Sequence, residues 1–351
     1  MELKTKYQYS YFIYPYLVRE ENYTRYIQGL LKNKKCTIRF FEKERDYDIY
    51  KFFLPKMREY MFRNFEFTTQ KIKKFKEFDI KTQAAILSKY PCTVFEYDMG
   101  ENVQGKIDKQ AEIFFKIQKI ELICFMTGVC FVVLKTNLED SNLFSELLDF
   151  NYKFSEINSE LKDLKKYENI HIQTNQFADI TKLSEIISEL TGNSKKSHIM
   201  NIDTNRFYTF SYACLEQEYW NQNNDFSNIE NEFNKYCSVS KNSNQLSLKT
   251  NNIKILENWE YAKIGISNYA VALLSSGANT NNYTKLPFDF ENQYLYMYIW
   301  ILYQKIYLNK IASEFNKPEK YKMTRKKFVD FTRKSLDTWD YKWWYRRRNL
   351  L

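Results

Sequence analysis

The densest apolar pattern in the chain is Ile113–Thr136, IFFKIQKIELICFMTGVCFVVLKT. Two runs within it, Leu122–Phe125 and Val129–Leu134, are rich in β-branched and aromatic residues and break at Met126-Thr127-Gly128. This predicts a β-hairpin buried on both faces, with Gly128 supplying the positive φ of a tight turn. Lys116, Gln118 and Lys119 interrupt the run upstream, which places the start of the first strand near a sheet edge. Residues 7–18, YQYSYFIYPYLV, alternate at Tyr7, Tyr9 and Tyr11 and predict another strand. Pro15 removes an amide donor there, which makes it an edge strand or marks its end. Tyr23, Tyr26, Ile27, Leu30 and Leu31 have helical spacing within Glu20–Lys32. Cys36–Phe41 and Asp48–Phe53 read as two further strands, completing a β-α-β-β unit. Ile72, Phe75 and Phe78 form a weak helical stripe, and Val94–Tyr97 a short strand.

The most regular helical pattern follows the hairpin. Asp140 or Ser141 can cap it, and Leu143, Leu147, Phe150, Phe154, Ile157, Leu161 and Leu164 repeat in heptad steps. Such a stripe suits a coiled-coil seam or, the preferred reading, one helix lying on a sheet or in a bundle. His171–Gln173 reads as a strand, Asp179–Leu190 as a helix, Phe207–Cys214 as a strand and Ile264–Leu274 as one strand. Residues 221–252 are rich in Asn, Ser and Gln and predict a loop with a short helix near Ile229–Tyr236. In Glu291–Phe315, all ten residues from Tyr294 to Tyr303 are apolar or aromatic, so this helix must be buried all round or meet partner subunits. The expected fold is α+β or mixed α/β: a central, mainly β-sheet core with packed helices and long C-terminal helices. The expected division is a core domain over 1–190, a loop-rich β extension over 191–290, and a helical, basic end over 291–351.

Composition supports a folded chain. Of 351 residues, 44% are hydrophobic, with only 7 Gly and 5 Pro. The 29 Tyr and 28 Phe match an AT-rich coding bias as well as any functional cause. The six Cys show no metal-ligand spacing and read as buried thiols. No signal peptide or apolar run of membrane-spanning length is present, which predicts a cytoplasmic location. The net charge of +10 is uneven: residues 317–351 carry 12 Lys and Arg against 4 Asp and Glu, leaving the other 316 residues near neutral.

Common catalytic templates are absent, and with only His171 and His198 a histidine-based site is hard to build. A non-enzymatic protein is expected. Two polar loops are candidate phosphate or nucleobase sites, with solvated turns as the alternative. The first, Thr191–Ser197, holds Asn193, Lys195 and Lys196, with Arg206 nearby. The second, Ser275–Thr284, holds Ser275, Ser276, Asn279 and Asn282, followed by Lys285. The third candidate is the basic, aromatic end: Lys326, Lys327, Trp343, Trp344, Arg346, Arg347 and Arg348. Cations beside Trp and Tyr suit an anionic membrane surface, or nucleic acid as the alternative.

The hairpin KIELICFMTGVCFVVLKT resembles the strand pair in the cytosolic domain of CorA-type divalent-cation transporters, where a helix follows as it would here from Asp140. LPFDFENQYLYMYIWILYQKIYL likewise resembles the aromatic helix before the stalk of divergent CorA-like proteins, some of them linked to type III CRISPR antiviral defence. The resemblance covers residues 1–165 and 285–315. It lacks the family's Gly-Met-Asn signature and both membrane helices. It implies a homo-oligomeric sensory domain at the inner face of the cell membrane, continuing into a membrane segment. The ligand it implies is Mg²⁺ or a nucleotide messenger, and no cofactor follows from the residues themselves.

Overall fold

The computed structural model describes residues 2–42, 45–53, 55–62, 68–100, 103–107, 113–139, 141–155, 170–174, 177–191, 206–216, 229–240, 253–315 and 321–336. The chain opens with β1 (Thr5–Leu17), a 3-10 turn at Glu20–Asn22, α1 (Tyr23–Lys32) and β2 (Cys36–Ile38). Four short helices follow: α2 (Tyr47–Phe52), α3 (Pro55–Met61), α4 (Thr69–Glu77) and α5 (Ile80–Leu87). Next come β3 (Cys92–Tyr97), β4 (Gln104–Ile107), β5 (Ile113–Phe125), β6 (Val129–Leu138), α6 (Phe144–Ser155), β7 (Ile170–Thr174), β8 (Phe177–Lys182) and α7 (Leu183–Leu190). Then β9 (Tyr208–Leu215), α8 (Glu230–Ser238), β10 (Lys254–Asn258), β11 (Ala262–Ile266) and β12 (Ala270–Ser276) complete the strands. The chain continues through α9 (Asn281–Thr284), α10 (Leu286–Phe290), a π turn at Glu291–Leu295, α11 (Tyr296–Phe315) and α12 (Tyr321–Leu336).

The strands form one 12-stranded sheet in the order β10-β11-β12-β9-β1-β6-β5-β4-β7-β8, with β3 beside β5 and β2 beside β3. The β12–β9 pair is parallel and the other pairs are antiparallel. This is the mixed α/β architecture expected from the sequence, with a long helix at the C-terminal end. The strands from residues 191–290 (β10, β11, β12 and β9) form one continuous part of this sheet, joined to the strands from 1–190 where β9 pairs with β1.

The uninterrupted apolar runs follow from burial on both faces. On one face Phe12, Leu122, Cys124, Cys130, Val132 and Leu134 meet α1, α5, α6, α7 and α8. On the other, Tyr9, Tyr11, Ile13, Phe125, Phe131 and Val133 meet the helices of the C-terminal half and α2–α3. The hairpin turn forms where predicted. Gly128 has φ +81°, and a Cβ there would lie 2.0 Å from the Val18 carbonyl oxygen. The heptad stripe lies on the sheet over its described part, with Phe154 stacked on Phe12 at 3.9 Å between centroids. Ile157, Leu161 and Leu164 lie outside the described residues.

Several local expectations are corrected. β1 is central, flanked by β6 and β9. Pro15 is tolerated because β9 pairs only as far as Ile13, and Val18 donates its N–H to Gly128 on the β6 side. Backbone alternation therefore turns the Pro15 nitrogen away from β6, where no ladder bond is lost. The start of β5 is no edge either, since β4 pairs with it over residues 113–116. Asp48–Phe53 is helical, because Ile49 and Phe53, one turn apart, are the buried pair. The front of Asp179–Leu190 is strand β8, held by β7, and α7 begins only at Leu183. Ile264–Leu274 is two strands, split where Ser267 Oγ accepts the N–H groups of Tyr269 and Ala270. The Ile229–Tyr236 helix is present as α8.

Every residue of Tyr294–Tyr303 is buried or half-buried. Tyr303 stacks on Phe125 at 3.9 Å, so this apolar helix covers the chain's own sheet.

Candidate anion-facing surface

α12 packs as an outer layer on α11. Its inward positions are Thr324, Lys327 and Phe331, spaced 3 and 4 apart as a helix face requires. Phe331 meets Tyr307 at 5.0 Å and Tyr303 at 6.1 Å. The same periodicity turns Lys322, Arg325, Lys326 and Arg333 into one outward arc of about 100°. All four are exposed, and Val329, 38% exposed, sits among them. At the end of the helix pair, Phe315 contacts Tyr321 (5.8 Å) and Phe328 (6.3 Å) edge to face. Tyr321 and Phe328 remain 52% and 40% exposed, and Met323 53%. Exposed rings and cations thus share one surface.

Lys327, which the sequence placed with the contact cations, points inward. Its Nζ lies 3.0 Å from Glu20 Oε2 and 3.6 Å from Glu314 Oε2. Lys310 on α11 donates to the same Glu20 at 2.8 Å and to the Thr127 carbonyl at 2.7 Å. Burial opposes ionisation of Glu20, but the two lysines outweigh it and hold the carboxyl below its ordinary range. Burial likewise opposes the Lys327 charge, and Glu20 with Glu314 outweighs that and raises its pKa. Lys326 is exposed. Trp343, Trp344, Arg346, Arg347 and Arg348 lie outside the described residues.

The second polar segment is not the open loop that its composition suggested. Ser275 and Ser276 lie inside β12 and are fully buried. Ser275 Oγ pairs with the Tyr212 hydroxyl at 2.8 Å, and Ser276 Oγ accepts from Ala278 N. Asn282 is 4% exposed and donates to the Ser276 carbonyl at 2.7 Å. Asn279 is exposed, and its side chain accepts from Asn281 N. Lys285 is exposed. Of the first segment, Asn193, Lys195 and Lys196 lie outside the described residues. The Arg206 guanidinium lies 4.4 Å over the Tyr269 ring.

Two ionic groups, one buried and one half-buried, were not anticipated. Glu121, 2% exposed within the apolar run of β5, accepts from Arg39 at 2.7 Å and pairs with Lys119 at 2.8 Å. Arg39 also donates to the Tyr296 hydroxyl at 2.7 Å and to Asp46 at 3.3 Å, tying the sheet to the start of α11. In the π turn, Glu291 accepts from Tyr11 (2.5 Å) and Lys135 (2.6 Å). These groups satisfy one another and carry structure. Cys36, Cys92, Cys124, Cys130, Cys214 and Cys237 are free and buried, as the sequence predicted. Among the described residues no cluster of His, Cys, Asp and Glu could hold a metal ion. No described helix is long and apolar enough to cross a membrane.

The signal that would have found the outward arc is the helical wheel of residues 321–333, which separates Lys327 from its basic neighbours. The chain matches no family model, no curated protein and no solved structure.

Proposed function

We propose that this chain is a non-enzymatic regulatory domain that works at an anionic membrane surface, docking through the α11–α12 helix pair. The observation that carries this reading is the joint exposure of Lys322, Arg325, Lys326 and Arg333 with Tyr321, Met323, Phe328 and Val329. Cations meet anionic headgroups, while rings and aliphatic side chains enter the interfacial layer. Nucleic acid would use the same cations and could stack on Tyr321 and Phe328, but the exposed aliphatic Met323 and Val329 have a use only at the interfacial layer of a bilayer. The resemblance to CorA-type cytosolic domains, carried by the hairpin and the aromatic helix, supports the same placement.

Co-sedimentation tests the proposal. The protein is expected to pellet with phosphatidylserine-containing vesicles and to stay in solution with pure phosphatidylcholine. Equal partition to both, or a preference for single-stranded RNA over the anionic vesicles in competition, contradicts it.

A further inference from the structure

α12 is attached differently from α11. Tyr303 of α11 stacks on Phe125 and hydrogen-bonds Tyr60 at 2.7 Å, so α11 belongs to the core. Among its described side chains, α12 buries Phe331, turns Lys327 inward, and touches Phe315 of α11 with the half-exposed rings of Tyr321 and Phe328. Its seat is imperfect: Thr324 Oγ1 is buried and makes no hydrogen bond, and the buried Glu314 Oε2 stands 3.6 Å from Lys327 Nζ, beyond good hydrogen-bond distance. A buried oxygen without a donor weakens the docked state. What holds the helix on its polar side is Glu20, whose carboxylate is shared by Lys327 of α12 and Lys310 of α11. Lys310 also reaches the Thr127 carbonyl in the β5–β6 turn, so the clasp ends on the central hairpin.

We propose that α12 is a releasable arm and Glu20 its clasp. The proposal rests on the membrane reading given above. Lys327 is the α12 cation spent on carboxylates while Lys322, Arg325, Lys326 and Arg333 face outward. An anionic bilayer offers Lys327 lipid phosphates and carboxylates in exchange for Glu20 and Glu314. The exchange frees α12 from the body and leaves Glu20 to Lys310 alone. Release of an outer-layer helix is a local opening that leaves the core intact.

The test is a distance measurement between two spin labels, one at Glu21→Cys beside the clasp and one at Asp330→Cys on α12, both exposed positions. The six native thiols are buried and stay unlabelled. The otherwise unchanged protein is expected to give one short distance in solution. A second, longer distance is expected when phosphatidylserine vesicles are added, and in Glu20→Gln without vesicles. Lys327→Gln, a change on a half-exposed helix position that leaves the body's own contacts in place, is expected to do the same. A single unchanged distance in both variants and on vesicles overturns the arm. If the protein pellets with vesicles and the distance stays single, the membrane reading stands and the release fails. If both variants lengthen the distance but nothing pellets, the clasp stands and the membrane reading fails.

Discussion

Glu121 sets an acid response that can be measured. Burial raises its pKa, but Lys119 and Arg39 outweigh this, so the folded-state value lies below the ordinary 4.5. A carboxyl lowered in the folded state contributes its full stability above the unfolded value and loses it as pH falls through the folded one. Denaturant midpoints are therefore expected to fall as pH drops below about 4.5. Glu121→Gln should flatten that acid limb and cost about 1–3 kcal/mol at neutral pH, because Arg39 and Lys119 lose a charged acceptor while Arg39 keeps Asp46. An unchanged acid limb would show that other carboxylates govern it. Glu121 was hidden in the sequence because it interrupts an apolar run and its partner Arg39 lies 82 residues earlier. Gly128 was legible, since a turn between two apolar runs needs its conformation. Gly128→Ala meets both a positive φ and the Val18 carbonyl. It should destabilise the protein by about 2 kcal/mol or more in the same denaturation assay.

The elements that were legible are those with a long, strong pattern. The β5–β6 hairpin shows two uninterrupted apolar runs buried on both faces and broken at Gly128, and α6 shows a buried face at the helix period. Phe154→Ala should cost about 3–5 kcal/mol, independent of protein concentration, because Phe154 packs on Phe12 of its own chain. A concentration-dependent loss would instead indicate a coiled-coil seam between chains. The misread elements are short, and there tertiary contact overrides local pattern. α2 buries Ile49 and Phe53 at a spacing that six residues cannot distinguish from a strand. β8 is held by β7, which the alternation of Phe177–Lys182 alone does not announce. β1 looked like an edge because of Pro15, yet the shorter reach of β9 leaves room for it in the middle of the sheet.

Across the whole molecule, one sheet takes strands from Thr5 to Ser276, and α10–α11 closes the face opposite α6. The basic character at the C-terminal end was legible from charge counts. Its division into an outward arc and an inward Lys327 was not, because that depends on where Glu20 and Glu314 sit in the fold. The polar segment Ser275–Thr284 read as an open loop for the same reason: Ser275 pairs with Tyr212 of β9, Ser276 Oγ accepts from Ala278, and Asn282 donates back to the Ser276 carbonyl. The central claim is that the outward arc binds anionic lipid. The most direct measurement is the affinity for phosphatidylserine vesicles of the unchanged chain against Lys322→Gln/Arg325→Gln/Lys326→Gln. At roughly 1 kcal/mol per cation near a charged surface, the variant should bind about a hundredfold more weakly while melting at the same temperature. Equal affinity of the two proteins would contradict the account.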